Sequence, residues 1–391
     1  MTLPDEVHRP PWVIVSAGFH HTGGQAKAVA SLADYLARTG PRVHLVGHDF
    51  DLSFTNCDNV TIHYAARPFH ADALGNAFLA RAGRAVARRV TATDPAARVV
   101  ANGGNCRWAD VNWVHYLHSA FEPDLRAAPR WFQLKERIVG AAYRRSERLA
   151  VGEARIVVTN SVRTRDDVLA RVPGVAPARV IPVYYGSDPA WRPADSDERA
   201  AARASFGLPA VGPVVVFVGG FGYDNRKGFD TLFDAWGRLT ASGGWDATLV
   251  MAGGGKAAAA AARTAAAVGP ADKIRLIGFT DRVFDLLAAA DLLVSPVRYE
   301  PFGLNVQEAV CRCVPALVSA CAGVAELYPP ELSDMVLPDA DDAADLAARL
   351  RRWRVDMPGW RVRFRPLSDR MRARSWDDMA REIIAAAGDI R

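Results

Sequence analysis

The chain has 391 residues, half of them hydrophobic, and a formal net charge of +5. That length is too great for one ordinary core and suits two domains, while so mild a basic excess, mostly arginine, gives no ground for a nucleic-acid partner. The five cysteines, Cys57, Cys106, Cys311, Cys313 and Cys321, include no C-x-x-C pair and no accompanying His repeat, which excludes a zinc set; Cys311 and Cys313 read as core positions of an apolar helix.

Met1 to Glu6 lacks a basic region followed by an apolar run, and no apolar run approaches membrane-spanning length, so a cytoplasmic protein is expected. Trp12 to Ala17 predicts an opening strand and Gly18 to Gly24 a loop. Val29, Leu32 and Leu36 mark the apolar face of a helix ending near Gly40. Strand, glycine loop and helix form the first unit of a dinucleotide-type fold, although G-x-G-x-x-G is absent. Further strands are predicted over 42–47, 60–64, 98–102 and 111–118, with a helix over 71–93. The fourth strand runs out into Gly103, Gly104 and Asn105. The fifth carries His115 and His118 toward its carboxyl end, where open parallel sheets collect ligands. Both are candidates for a ligand contact, His118 ahead of His115 because it lies further out.

Residues 121–151 interleave Arg126, Arg130, Lys135, Arg137, Arg144, Arg145 and Arg148 with Trp131, Phe132, Leu134, Ile138 and Val139. This pattern predicts a basic amphipathic helix or helix pair. It is either a surface helix lying on the sheet or, through 126–148, a patch that meets an acceptor or a membrane surface. Strands over 155–161, leaving at Asn160, and 179–185 complete the first half. The stretch around Gly186 to Asp188 reads as the passage to a second domain, and Pro189, Pro193 and the polar run to Arg199 as a linker. The expected divisions are 1–189, 190–366 and a terminal segment 367–391.

The second half restarts the same grammar. Pro213 to Val218 is a buried parallel strand, Gly219 to Gly228 a loop, and Phe229, Leu232, Phe233 and Trp236 have helical spacing. Strands follow over 248–252, 273–277, 291–295 and 315–319, with an edge strand at 335–337. The alanine-rich stretch to Val268, residues 341–355, and a last segment marked by Trp376, Met379, Ile383 and Ile384 predict helices. After the strand ending at Ser295, Pro301 and Gly303 punctuate a turn and a helix begins near Asn305. Backbone N–H groups at such a turn suit a diphosphate. Glu300 and Glu308, which bracket the turn, suit hydroxyls better than phosphate. Hydroxyls beside a diphosphate describe a sugar nucleotide.

Glu300-Pro-Phe-Gly-Leu-Asn-Val-Gln-Glu308-Ala resembles the E-x7-E signature of retaining glycosyltransferases of family 4, which have the GT-B fold. Gly219-Gly-Phe-Gly222-Tyr-Asp-Asn-Arg226-Lys227-Gly228 is similar to that family's donor-diphosphate loop, and Ile277-Gly278-Phe279 to its base-binding turn. The resemblance implies an α/β protein of two Rossmann-like domains facing across a cleft, with a C-terminal helix crossing back to the first. It implies Gly23, Gly24, Gly222, Arg226 and Lys227 at the diphosphate and Phe279 at the base. It further implies Glu308 on the ribose, Glu300 on the hydroxyls of the transferred sugar, and backbone groups of Phe302, Gly303, Leu304 and Asn305 between them. His118 would shape and polarise the sugar site, with His115, Asn105 and Asn160 as further acceptor or sugar candidates. Tyr185 stands where the family usually has asparagine. Arg312-Cys313-Val314 stands where it usually has a small residue and glycine.

No Asp-x-Asp motif is suitably placed at a strand end, the aspartates from 339 to 342 reading as a surface loop, so neither a metal nor an organic cofactor is expected, and Arg226 with Lys227 must carry the leaving diphosphate. The resemblance implies retention by front-face attack, in which the leaving phosphate takes the acceptor's proton. The expected partners are a nucleotide-diphosphate sugar and a glycan, lipid-linked or secondary-metabolite acceptor, at the inner membrane surface if the basic patch engages lipid. Two alternatives stand beside this: a GT-B phosphorylase, which needs a pyridoxal phosphate lysine, and a sugar-nucleotide-binding relative without catalysis.

Overall fold

The computed structural model describes residues 9–126, 128–270 and 273–388; the stretch from Met1 to Glu6 lies outside them. The chain forms two compact units. The first gathers residues up to 121, 134–186 and those from 376 onward; the second takes 122–133 and 187–375.

In the first unit, β1 (Trp12–Val15), β2 (Val43–Gly47), β3 (Val60–Tyr64), β4 (Arg98–Asn102), β5 (Val111–Val114), β6 (Ile156–Thr159) and β7 (Val180–Pro182) form a parallel sheet. Its order is β3-β2-β1-β4-β5-β6-β7. Helices α1 (Gln25–Thr39), α2 (Asp72–Thr93), α3 (Arg130–Glu153), which belongs to this unit from Leu134 on, and α4 (Val162–Arg171) make the connections. Helices on a parallel sheet cover both faces, which is why the central strands read as continuous apolar runs: all four residues of β1 are buried. The strand expected over 111–118 stops at Val114, so both histidines stand on the loop beyond it. The basic stretch is one helix, α3, from Arg130.

In the second unit, β8 (Val214–Val218), β9 (Thr248–Ala252), β10 (Ile274–Gly278), β11 (Leu292–Ser295), β12 (Ala316–Ser319) and β13 (Val336–Leu337) are again parallel, in the order β10-β9-β8-β11-β12-β13. This is the 3-2-1-4-5-6 order of the doubly wound dinucleotide-binding fold. Its helices are α5 (Ser196–Ser205), α6 (Phe229–Ala241), α7 (Ala258–Val268), α8 (Val283–Ala289), α9 (Leu304–Cys311), α10 (Ala343–Val355) and α11 (Met357–Ala373).

One expectation needs correction. The run to Arg199 is not a linker throughout. Asp195 accepts hydrogen bonds from the N–H groups of Asp197 and Glu198 while Glu198 reaches back to Asp195, a capping box that starts α5. Pro366, where the second expected division closes, lies inside a helix, because α11 runs through it. Trp360, Phe364, Leu367 and Met371 recur at three- and four-residue spacing and are all buried, and their packing outweighs the roughly 3 kcal/mol that an interior proline costs. The returning segment therefore begins after α11. Ser187 pairs with Ser375 at the crossing, and α12 (Trp376–Gly388) packs in the first unit. There it buries Trp376, Met379, Ala380, Ile383 and Ala387, Asp377 pairs with Arg38 at 2.6 Å, and Arg98 Nε donates to the Ala387 carbonyl at 3.0 Å. Among the described residues no helix is long and apolar enough to cross a membrane.

Candidate functional site

Because the strands of the second unit are parallel, the loops after β8, β9, β10 and β11 leave from one edge of the sheet. Register brings Val218 opposite Ala252, and Ala252 opposite Gly278. Stretches distant in sequence thus meet: the 219–228 loop, Gly253 to Gly255, the Gly278–Phe279 turn and the 298–303 turn. The first two are laced by backbone bonds, Gly219 N–H to the Ala252 carbonyl at 3.0 Å and Phe221 N–H to the Gly254 carbonyl at 2.9 Å.

Lys227 Nζ donates to Glu300 Oε2, and Arg226 Nη1 lies 3.6 Å from the same oxygen. Arg226 Nη1 also donates to the Tyr299 carbonyl at 3.3 Å. Burial by itself would raise the Glu300 carboxyl, but the charges of Lys227 and Arg226 and the Lys227 hydrogen bond together hold it below the usual glutamate value. The two cations are only partly covered: 20% of the Lys227 and 24% of the Arg226 side chain stays exposed, enough for a ligand to reach them.

Gly303 caps α9 with φ 110°, in the left-handed region, and a Cβ there would stand 3.0 Å from Val324 Cγ1. The N–H groups of Leu304 and Asn305, at the head of α9, have no acceptor in a preceding turn of that helix. Leu304, Asn305 and Glu308 fall on its partly exposed face, whereas Val306, Gln307, Ala309 and Val310 are buried. The Asn305 side chain donates to the Val218 carbonyl at 3.0 Å and so fixes the helix start against the end of β8. Phe302 is buried, while Phe279 is 83% exposed after the positive-φ Gly278. Gly222 lies partly exposed in its loop.

The sequence did not disclose what holds this loop. Arg298 grips Asp230 with two bonds of 2.8 Å, donates to the Asn225 carbonyl at 2.5 Å, and reaches Asp341. Its own N–H donates to the Arg226 carbonyl at 2.8 Å. Asp341 belongs to the acidic stretch set aside as a surface loop, and here it braces Arg298.

In the first unit, Gly23 and Gly24 are exposed at the start of α1, and a Cβ on either would meet no protein atom within 4 Å. Beside them His21 is clamped, with Nε2 2.6 Å from Asp34 and Nδ1 2.5 Å from Asp51. The Asp34 hydrogen bond foremost, against some burial and helped by Asp51, raises its pKa to about 9. His118 is 41% exposed at the side chain, and the buried carboxylate of Glu147 holds its loop. Glu147 accepts from the His118 N–H at 2.9 Å, lies 3.2 Å from His118 Nδ1, and accepts from the Ser119 N–H at 3.3 Å. His115 is buried, with Nδ1 2.5 Å from the Tyr185 hydroxyl, and burial pushes its pKa down to about 3. Asn160, also buried, donates to the His115 carbonyl at 3.2 Å and to Tyr185 at 3.1 Å, and accepts from Thr164 at 2.9 Å. Asn105 ends the single turn after β4 and is half-buried. A cavity of about 430 Å³ lies between α2 and α3, walled by Ala77, Ala80, Ile138, Ala142 and Tyr143, with Arg84 at its side. Glu147 and Tyr185 were not among the expected site residues; neither has a local motif.

Among the described residues no group of three or more His, Cys, Asp and Glu side chains gathers as a metal site.

Residues 212–355 match the family described as glycosyl transferases group 1, and residues 22–191 match glycosyltransferase family 4. Solved structures sharing the fold cover nearly the whole chain. The chain therefore belongs to the GT-B glycosyltransferases of the family 4 type. Among individual relatives it is 30% identical over 214 residues to the alpha-maltose-1-phosphate synthase of Mycolicibacterium smegmatis, covering 52% of this chain and 54% of that one. It is 28% identical over 261 residues to the alpha-D-kanosaminyltransferase of Streptomyces kanamyceticus, covering 66% and 64%. An Anabaena protein, HepE, solved with UDP and glucose superposes with a TM-score of 0.71 at 16% identity, covering 98% of this chain and 100% of that one. The chain spans between half and two thirds of the length of the first two relatives.

Proposed function

We propose that this protein transfers a sugar from a nucleotide-diphosphate donor to an acceptor hydroxyl, with retention and without a metal. The observation that carries the proposal is the Arg226–Lys227–Glu300 cluster on a glycine loop beside the head of α9. Arg226 and Lys227 neutralise the leaving diphosphate, a role for which two cations and the α9 amides suffice without an ion. Glu300 and Glu308 accept from the sugar and ribose hydroxyls. Phe279 borders the base, and Gly23 and Gly24 approach the β-phosphate. The complex of HepE with UDP and glucose supports a nucleotide-sugar donor.

His118, oriented by Glu147, shapes the sugar site, and the leaving phosphate takes the acceptor proton. His115, Asn160 and Tyr185 support that wall from behind. The acceptor meets the first unit along α3. Leu134 and Ile138 are exposed there among Lys135 and Arg137, a pattern that supports contact with an amphipathic acceptor at the inner membrane surface.

The test is release of nucleotide from a panel of nucleotide sugars in EDTA, with the anomeric configuration of any product read by proton NMR. Turnover with retention, falling on the order of a hundredfold in Arg226→Ala and in Lys227→Ala, is expected. Turnover that needs magnesium, or survives both substitutions, overturns the proposal.

A further inference from the structure

A second concave site lies on the second unit, at the end of the sheet opposite the donor loops. Asp291 and Pro315, which immediately precede β11 and β12, mark that end. The cavity is about 260 Å³, and Arg199 of α5, Arg312 beyond α9, and Arg361 and Arg365 of α11 line it, with Val314 and Val362 as apolar wall.

Its charge does not balance. Asp291 is buried and accepts from Arg199 at 2.7 Å, from Arg203 at 2.8 Å and from Arg361 at 3.2 Å, as well as from the Val214 N–H at 2.9 Å. One carboxylate thus serves three guanidinium groups. Arg312 and Arg365 add two more, and neither makes an ion pair among the described residues. Arg312 is 4% exposed, lies 3.9 Å over the Phe284 ring, and donates to the Arg192 carbonyl at 3.2 Å, yet its Nε has no partner. The acidic groups near Arg312 are otherwise committed: Glu198 pairs with Arg192 at 2.7 Å, Asp285 pairs with Arg282 at 2.9 Å, and Asp195 caps α5. Surplus positive charge held in a partly dry hollow is costly unless an anion joins it, and guanidinium forks fit phosphate oxygens. Burial and mutual repulsion depress the Arg199 guanidinium despite Asp291, in keeping with that surplus.

Cys313 follows Arg312 with φ 58°, in the left-handed region that residues with a Cβ seldom adopt. Arg312 therefore enters the hollow from a turn that this sequence holds at some backbone cost.

We propose that this pocket binds a small phosphate-class anion, either free phosphate or a phosphomonoester, separately from the donor. α9 joins the two places: it begins at Gly303 beside the donor loop and ends next to Arg312. A bound anion would tie α5, α11 and the end of α9 together and so bear on the turn that holds Glu300.

The test is calorimetric titration of the intact protein with inorganic phosphate and with glucose 6-phosphate, at constant ionic strength. Arg365 is exposed, so Arg365→Glu serves as the variant that leaves the core alone, and Arg361→Ala serves as the second. The expected result is saturable binding, weakened on the order of tenfold or more in both variants and unchanged in Lys227→Ala. Tighter binding of the ester assigns a phosphomonoester; equal binding assigns free phosphate. Binding abolished by Lys227→Ala, binding indifferent to both arginine variants, or no binding at millimolar concentration overturns the proposal. The titration uses no nucleotide, so its outcome is independent of whether the donor proposal holds.

Discussion

Replacing Lys227 by methionine separates what the donor loop contributes to stability from what it contributes to binding. In the native protein Glu300 is 17% exposed, bonded to Lys227 and 3.6 Å from Arg226. Lys227→Met removes the closer cation and leaves the carboxylate with Arg226 alone. Breaking a fully buried pair costs about 3–5 kcal/mol; with residual exposure and one cation left, we take about 2 kcal/mol here. For a unit of this size that lowers the melting temperature by roughly 4–8 °C. The sign with pH follows from the depressed carboxyl. Its stabilisation is present above the ordinary glutamate value and lost as pH falls through the lower folded value. In the variant the folded value rises, so the loss on acidification begins at higher pH. Adding Glu300→Gln recovers most of the stability, because no charge is then buried without a partner, but it does not recover nucleotide binding. The assay is calorimetric melting from pH 3 to 7, with a nucleotide titration at pH 7. Unchanged melting and superimposable acid limbs in Lys227→Met would refute the reasoning.

Other expectations follow from particular contacts. Gly303→Ala forces a left-handed φ on a residue with a Cβ 3.0 Å from Val324; a loss of about 1–3 kcal/mol in denaturant unfolding is expected, and a loss under a few tenths would contradict the constraint. Arg298→Ala frees Asp230 and the Asn225 carbonyl, so nucleotide affinity should fall at least tenfold although Arg298 itself touches no ligand in this account; hydrogen exchange of 222–228 should rise with it. His21 should titrate by NMR at about 9. Its raised value means the clamp's stabilisation is complete below the ordinary histidine range and disappears as pH passes through about 9; titration near the ordinary value would show that Asp34 and Asp51 do not hold the ring.

Much of the fold was legible because its signals are local. Continuous apolar runs such as Val214 to Val218 occur where both faces of a parallel sheet are covered, and Gly228 and Gly303 mark turns whose left-handed backbone calls for glycine. The 219–228 loop and the Glu300–Glu308 turn were legible as backbone features for the same reason. What escaped depends on partners far away in sequence. Arg298 meets Asp230, 68 positions earlier, and Glu147 meets His118, 29 positions earlier; neither pairing leaves a spacing pattern. The α5 capping box was present in the sequence as Asp195 and Glu198, but the neighbouring prolines drew the segment toward a linker. Pro366 sits inside α11, where tertiary packing outweighs a strong local rule.

The measurement that bears most directly on the central claim is calorimetric titration with UDP, GDP, ADP, CDP and dTDP in EDTA, repeated with magnesium. The account predicts that one nucleotide binds without metal, and that at a hundred times its dissociation constant it stabilises the protein by about 2.7 kcal/mol. It also predicts that this binding is weakened at least tenfold in both Arg226→Ala and Lys227→Ala. Binding by none of the five, or only with magnesium, would contradict it.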